Sequence, residues 1–138
     1  MNSIFLGIDY GTKRVGIAIS DDSGRVAFPQ RVVPNTPVLA ETIAFFVDEL
    51  KVGAVVVGES YDLSGRENPV QKDIIQFVQA LEKRTGLPVY FEREYWTSQE
   101  ARRTQGMTDM NDASAAALIL QRYLDKHSLR NMPDQDEE

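Results

Sequence analysis

Residues 4–8 are almost wholly apolar and residues 15–19 are apolar again, with the polar stretch DYGTKR between them. Two short apolar runs on either side of a turn predict a pair of buried strands, with Gly11 able to take a positive φ in the turn. Residues 26–33 predict a third strand, interrupted or edged by Pro29. The period then changes. After Pro37, the residues Leu39, Ile43, Phe46, Val47 and Leu50 recur at helical spacing. VGAVVVG is a continuous apolar run ending at Gly58, the pattern of a parallel strand covered on both faces. Residues 67–84 predict a second helix with Val70, Ile74, Phe77, Val78 and Leu81 as its stripe. Gly86 stops it, and LPVYFE supplies another short strand. A short helical turn is predicted from Trp96 to about Arg103, and a last helix over 112–123. The order βββ-α-β-α-β-α-α predicts an α/β fold. Its mixed five-stranded sheet has three antiparallel strands and then parallel ones, with helices on both faces.

A chain of 138 residues is one domain in length, and 42% apolar residues are enough to give it a core. Residues 1–126 are read as that domain and 127–138 as an acidic, disordered tail. Asp134, Asp136, Glu137 and Glu138 all sit in that tail, and without them the net charge is −2 instead of −6. The tail is either a solvated terminus that aids solubility or an arm that competes with nucleic acid for a basic surface. A net acidic domain is not the footprint of a strong nonspecific nucleic-acid binder. A local basic face or a bound metal would offset that average. The absence of cysteine excludes disulfides and thiolate zinc sites. No basic leader precedes the first strand, and no stretch approaches the roughly 20 apolar residues of a membrane span. The expectation is a cytoplasmic protein away from membranes.

The chemistry gathers around acids. Asp9 lies in the most apolar segment at a strand end, where a lone charge is costly unless paired, hydrogen-bonded or metal-bound. It reads either as an Asx-type turn, accepting the amides of Gly11 and Thr12, or as a functional acid. Glu94 follows the strand VYFE, and Asp112 stands at the head of the last helix. Ligands of open α/β sheets gather at the carboxyl ends of parallel strands, so the three acids are candidates for one rim. Hard cations such as Mg2+ or Mn2+ take carboxylate ligands with waters and substrate phosphates. Two such ions about 4 Å apart can activate water against a phosphodiester.

The segments IDYGTKRVGIAIS, VVVGESYDLSG, REYWTSQEARR and NDASAAALILQRYL, in that order, resemble the successive motifs of the YqgF/RuvX family. The resemblance covers roughly residues 4–124. Members of that family are named as Holliday-junction resolvases or pre-16S ribosomal RNA nucleases, and they resemble ribonuclease H and the RuvC resolvase in fold. The resemblance implies a ribonuclease H-like domain whose catalytic and metal-binding acids fall on Asp9, Glu94 and Asp112. It implies Mg2+ or Mn2+ as cofactor and nucleic acid as partner, with structured RNA favoured over branched DNA. The chain also departs from the family. It has GESYDLSG where the pattern reads G-L-P-L-N-x-D-G, and Arg93 and Tyr95 flank Glu94 in place of Asp and Arg. The lysine-rich loop that many members carry before the last acid is missing.

Other residues keep two readings each. Glu59, after VVVG, is either a fourth ligand or a solvated loop acid. Asp109 is either a further ligand beside Asp112 or a helix cap. Lys13 is a candidate phosphate contact. Arg14 could be an ordinary solvent-facing strand residue. Arg66, Arg102 and Arg103 either line the path of a nucleic-acid backbone or are plain surface. Thr97 with Glu100 matches a capping box, and Trp96 is either core or a base-stacking platform. His127 stands alone near the tail and has no partner for general-base work. Three functions compete: a divalent-metal nuclease, a noncatalytic nucleic-acid or protein-interaction module, and an actin-like ATPase or sugar kinase lobe. The third needs two lobes, far more chain than this. Monomer and homodimer both remain open.

Overall fold

The computed structural model describes residues 4–60, 70–94 and 112–130. Five strands are formed by β1 (Phe5–Tyr10), β2 (Arg14–Ser20), β3 (Ala27–Pro34), β4 (Ala54–Ser60) and β5 (Val89–Glu94). Among the described residues three helices accompany them: α1 (Leu39–Glu49), α2 (Val70–Thr85) and α3 (Asp112–Arg130). The sheet order is β3-β2-β1-β4-β5. The first three strands pair antiparallel, whereas β1 with β4 and β4 with β5 pair parallel. This is the mixed five-stranded sheet that the change of period predicts, and it agrees with the ribonuclease H-like fold that the family resemblance implies.

Alternation along the strands sorts the core into two layers. Leu6, Ile8, Val15, Ile17, Val55 and Val57 pack with Leu39, Ile43 and Val47 of α1 and Ile74, Phe77 and Leu81 of α2. Ala18 and Val56 face the other way, onto Ala116, Ile119, Leu120, Tyr123 and Leu124 of α3. Covered on both faces, β1 and β4 read as unbroken apolar runs in the sequence. Among the described residues no helix is long and apolar enough to cross a membrane.

The α3 layer is unusually close to the sheet, and glycines make room for it. A Cβ at Gly7 would stand 2.7 Å from Cβ of Leu120 and 3.0 Å from the Ala116 carbonyl oxygen. A Cβ at Gly16 would overlap the backbone of Asp112. Helix α3 answers with Ala113 and Ala116, both buried.

Several element ends differ from expectation. Strand β1 runs on to Tyr10, which keeps Asp9 near its carboxyl end as expected, whereas β5 runs to Glu94, so Glu94 closes the strand and does not follow it. Glu59 likewise sits within β4. Helix α3 passes Tyr123 and ends at Arg130, so residues 127–130 of the stretch read as tail are helical. Gly11 does not take a positive φ. Its requirement is steric, because a Cβ there would overlap the carbonyl oxygen of Arg14. Gly86 does adopt φ 70°, as its helix-stopping role demands. Pro29 lies in β3, an edge strand, beside a register shift at Ile17/Ala18, which spares it a central ladder position.

Two turns carry consequences for stability. Helix α1 closes as a Schellman motif: the Val52 amide donates to the Val47 carbonyl at 3.0 Å and the Lys51 amide to that of Asp48 at 3.4 Å. Lys51 occupies the left-handed position, with φ 57°, where a side chain costs about 1 kcal/mol. Lys51→Gly is therefore expected to raise stability by about 0.5–1 kcal/mol, part of the gain being offset by the freer unfolded chain. A higher urea midpoint at unchanged slope would show it. Between β2 and β3, the Asp21 carboxylate accepts the Arg25 and Val26 amides and the Ser23 hydroxyl. Those bonds, the Arg25 amide foremost, hold its carboxyl below the ordinary value. A lowered carboxyl adds stability at neutral pH that is lost as pH falls through its folded value.

Candidate active site

The rim at the carboxyl ends of β1, β4 and β5 is built by register. Asp9 pairs with Gly16 across β1 and β2, so both lie on the α3 face. The first residue of α3 rests on Gly16, which places the backbone of Asp112 one strand spacing, about 5 Å, to the side of Asp9. Two acids more than a hundred residues apart in sequence are thus joined through a glycine. Both are half-buried. As the first residue of α3, Asp112 also sits where the helix dipole favours a negative charge.

On the other side of Asp9 the ladder runs to β5. Ile8 pairs with Val57, and Val57 with Phe91. One step further, Asp9 shares its row with Gly58 and Glu92. Glu94 closes β5, its backbone paired with Ser60. Position 94 is then two strands across and two residues along from Asp9, about 12 Å between backbones. Asp9 stands between the other two acids, with Asp112 over β2 to one side and Glu94 on β5 to the other.

Glu59 is not on this face. Two residues beyond Val57, which packs in the α1–α2 layer, it shares that face and so faces away from Asp9. Lys13 is exposed in the β1–β2 turn beside Asp9. That turn is tied down by Asn35, whose amide nitrogen donates to the Lys13 carbonyl at 2.9 Å and whose side chain donates to that of Gly11 at 2.7 Å. Asp109, Arg66, Arg102, Arg103, Trp96 and Thr97 lie outside the described residues.

Two features escape the sequence reading. Arg14 is not merely a solvent-facing strand residue: its Nε lies 3.1 Å from Oδ2 of Asp112. The pair is partly open to water, with the arginine 71% exposed and the aspartate 34%. Glu92 is the second. Only 5% exposed, its Oε2 accepts a hydrogen bond from Nζ of Lys126 at 2.7 Å. Alternation could have found Glu92, which shares a face with Tyr90 in the strand LPVYFE as read from the sequence.

No group of three or more His, Cys, Asp or Glu that could hold a metal is formed among the described residues. The donors at the rim are nevertheless all carboxylate oxygens, the set that hard cations take, and one or two carboxylates suffice for magnesium when waters complete the shell. The residues present therefore suit Mg2+ or Mn2+ and not a thiolate- or imidazole-preferring metal.

A family model described as "RuvX: Holliday junction resolvase" matches residues 3–126. A relative from Nitratidesulfovibrio vulgaris (strain Miyazaki F), named "Putative pre-16S rRNA nuclease", is 37% identical over 94% of this chain and 98% of its own. One of the same name from Rickettsia akari is 30% identical over 96% of this chain and 91% of its own. Among solved structures, Thermus thermophilus RuvC bound to a Holliday junction superposes with a TM-score of 0.60 at 18% identity, over 91% of this chain and 96% of that one. The fowlpox virus Holliday junction resolvase gives 0.55 at 14% identity, over 89% and 99%. At those identities the likeness is one of fold.

Proposed function

The chain belongs to the RuvX family, and on that footing we propose that it is a divalent-metal-dependent nuclease. Its proposed substrate is structured RNA such as the 5′ end of pre-16S rRNA, in the cytoplasm, with branched DNA as the alternative. The observation that carries the reading is the seating of α3 on Gly16, which brings Asp112 beside Asp9. Asp9 is assigned as the shared ligand, with Asp112 and Glu94 on either side of it. The chemistry a bound magnesium or manganese ion supplies is activation of water and stabilisation of the leaving oxygen. The protein's part is to fix the acids, admit the phosphate backbone and hold it there.

Lys13 is suited to the last task as an exposed point charge at the mouth of the site. Lys13→Ala is expected to weaken binding alike for every substrate and to lower the slope of log affinity against log salt by about 1, because a phosphate contact carries no base readout. Arg14 stands in for a cation at Asp112. Arg14→Gln should therefore tighten manganese binding several-fold by calorimetry, while an unchanged affinity would show that the pair does not guard the site.

That same pair favours a second reading, a noncatalytic nucleic-acid-binding module of this fold, since it engages one of the acids. Manganese titration separates the two at the first step. The nuclease reading expects wild type to bind the ion and Asp9→Asn, which removes charge and not volume, to lose most of that affinity. Equal affinity in both proteins would remove Asp9 from the site.

A further inference from the structure

The row Gly7–Val56–Tyr90 crosses three strands on the α3 face, one alternation step back from the row that holds Asp9. Tyr90 is its outer end, because β5 is the edge of the sheet. The residue is 42% exposed although it is not loosely held. It stacks on Tyr123 of α3 with centroids 5.5 Å apart and planes 21° from parallel. Tyr123 is buried, and packs in turn on Phe5 at 6.0 Å and on His127 at 4.0 Å. Tyr90 is thus the open end of an aromatic column that runs through buried Tyr123 to half-buried Phe5 and His127.

Between this ring and the acids of the rim lies Glu92. Its carboxylate is covered by the ammonium of Lys126, a side chain that is itself 61% exposed. A polyanion passing from the rim toward Tyr90 meets that ammonium and not a bare carboxylate. Sheet spacings put Tyr90 two strands across and two residues back from Asp9, about 12 Å between backbones. That is a reach of a few nucleotides.

We propose that Tyr90 is a stacking platform for an unpaired base of the nucleic-acid substrate, lying a few nucleotides from the phosphate held at the acids. An aromatic face held rigid at an edge accepts any base with little sequence preference. Paired bases already stack within their duplex, so the platform selects structured nucleic acid that carries a single-stranded extension. The inference rests on the nuclease reading for the position of the phosphate.

The test is binding by the full-length chain in EDTA, where nothing is cut, to an RNA hairpin with a single-stranded extension and to the same hairpin made blunt. The extension carries 2-aminopurine at successive positions. Wild type is expected to prefer the extended hairpin and to quench the probe at one or two positions. Tyr90→Leu, which keeps apolar packing on Tyr123 but removes the π face, should lose about tenfold for the extended hairpin, lose the quenching, and leave the blunt hairpin unchanged. Tyr90→Trp should bind at least as tightly as wild type. Equal binding of both hairpins by wild type, equal losses on both in Tyr90→Leu, or weaker binding by Tyr90→Trp would each overturn the proposal. Cleavage is not measured in this assay, so a failed platform and a failed nuclease give separate results.

Discussion

Gly16→Ala is expected to destabilise the protein by about 3 kcal/mol, the upper range for forcing a methyl into a packed site, and to lower its melting temperature by about 10 °C. The added Cβ would overlap the carbonyl of Asp112 and has only backbone to push against. Relief requires the head of α3 to lift from β2. That movement carries Asp112 away from Asp9, so manganese affinity should fall in the fraction that remains folded. Gly53→Ala is the matched control. The nearest atom to a Cβ there is the Ile4 carbonyl oxygen, at 3.9 Å, and the change should stay within about 0.5 kcal/mol. Urea unfolding of the two variants checks the pair. Equal stability would mean that α3 does not depend on the close approach described.

This glycine illustrates what the sequence can and cannot say. The strands and helices are legible because each has a single clear period and sits in a layer that buries it. Element ends are less so. Arg93 and Glu94 extend β5 with charged residues, and a reading guided by apolar runs stops at Glu92, before them. Asp9 and Asp112 can be singled out from their places at element ends and from their family motifs. Their adjacency cannot, because it depends on antiparallel register and on which helix lies over Gly16. Glu59 shows the reverse case. It stands at the right end of the right strand, yet one step of alternation puts it on the opposite face. Arg14 looks like an ordinary strand arginine until α3 brings Asp112 to it.

The second large effect belongs to the acids. Asp9→Asn, Glu94→Gln and Asp112→Asn are each expected to reduce cleavage on the order of 10²–10³-fold or more, the loss typical when charge stabilisation is removed from a reacting centre. Their stability should change little. Asp112→Asn forfeits an ion pair with Arg14 that is partly open to water, worth about 1 kcal/mol. Asp9→Asn removes charge and not volume, so the packing of β1 against its neighbours is kept. Activity and stability should therefore part company in these three proteins, and fall together in Gly16→Ala.

The most direct measurement is cleavage of a structured RNA and of a four-way DNA junction by wild type and the three acid variants, at low salt in magnesium or manganese. The metal-nuclease account predicts that wild type cuts at least one substrate, the RNA in preference, and that each variant fails while remaining folded. Wild type that is folded and metal-loaded but cuts neither substrate would contradict it in favour of a noncatalytic module. Cleavage that survives all three substitutions would place the activity elsewhere.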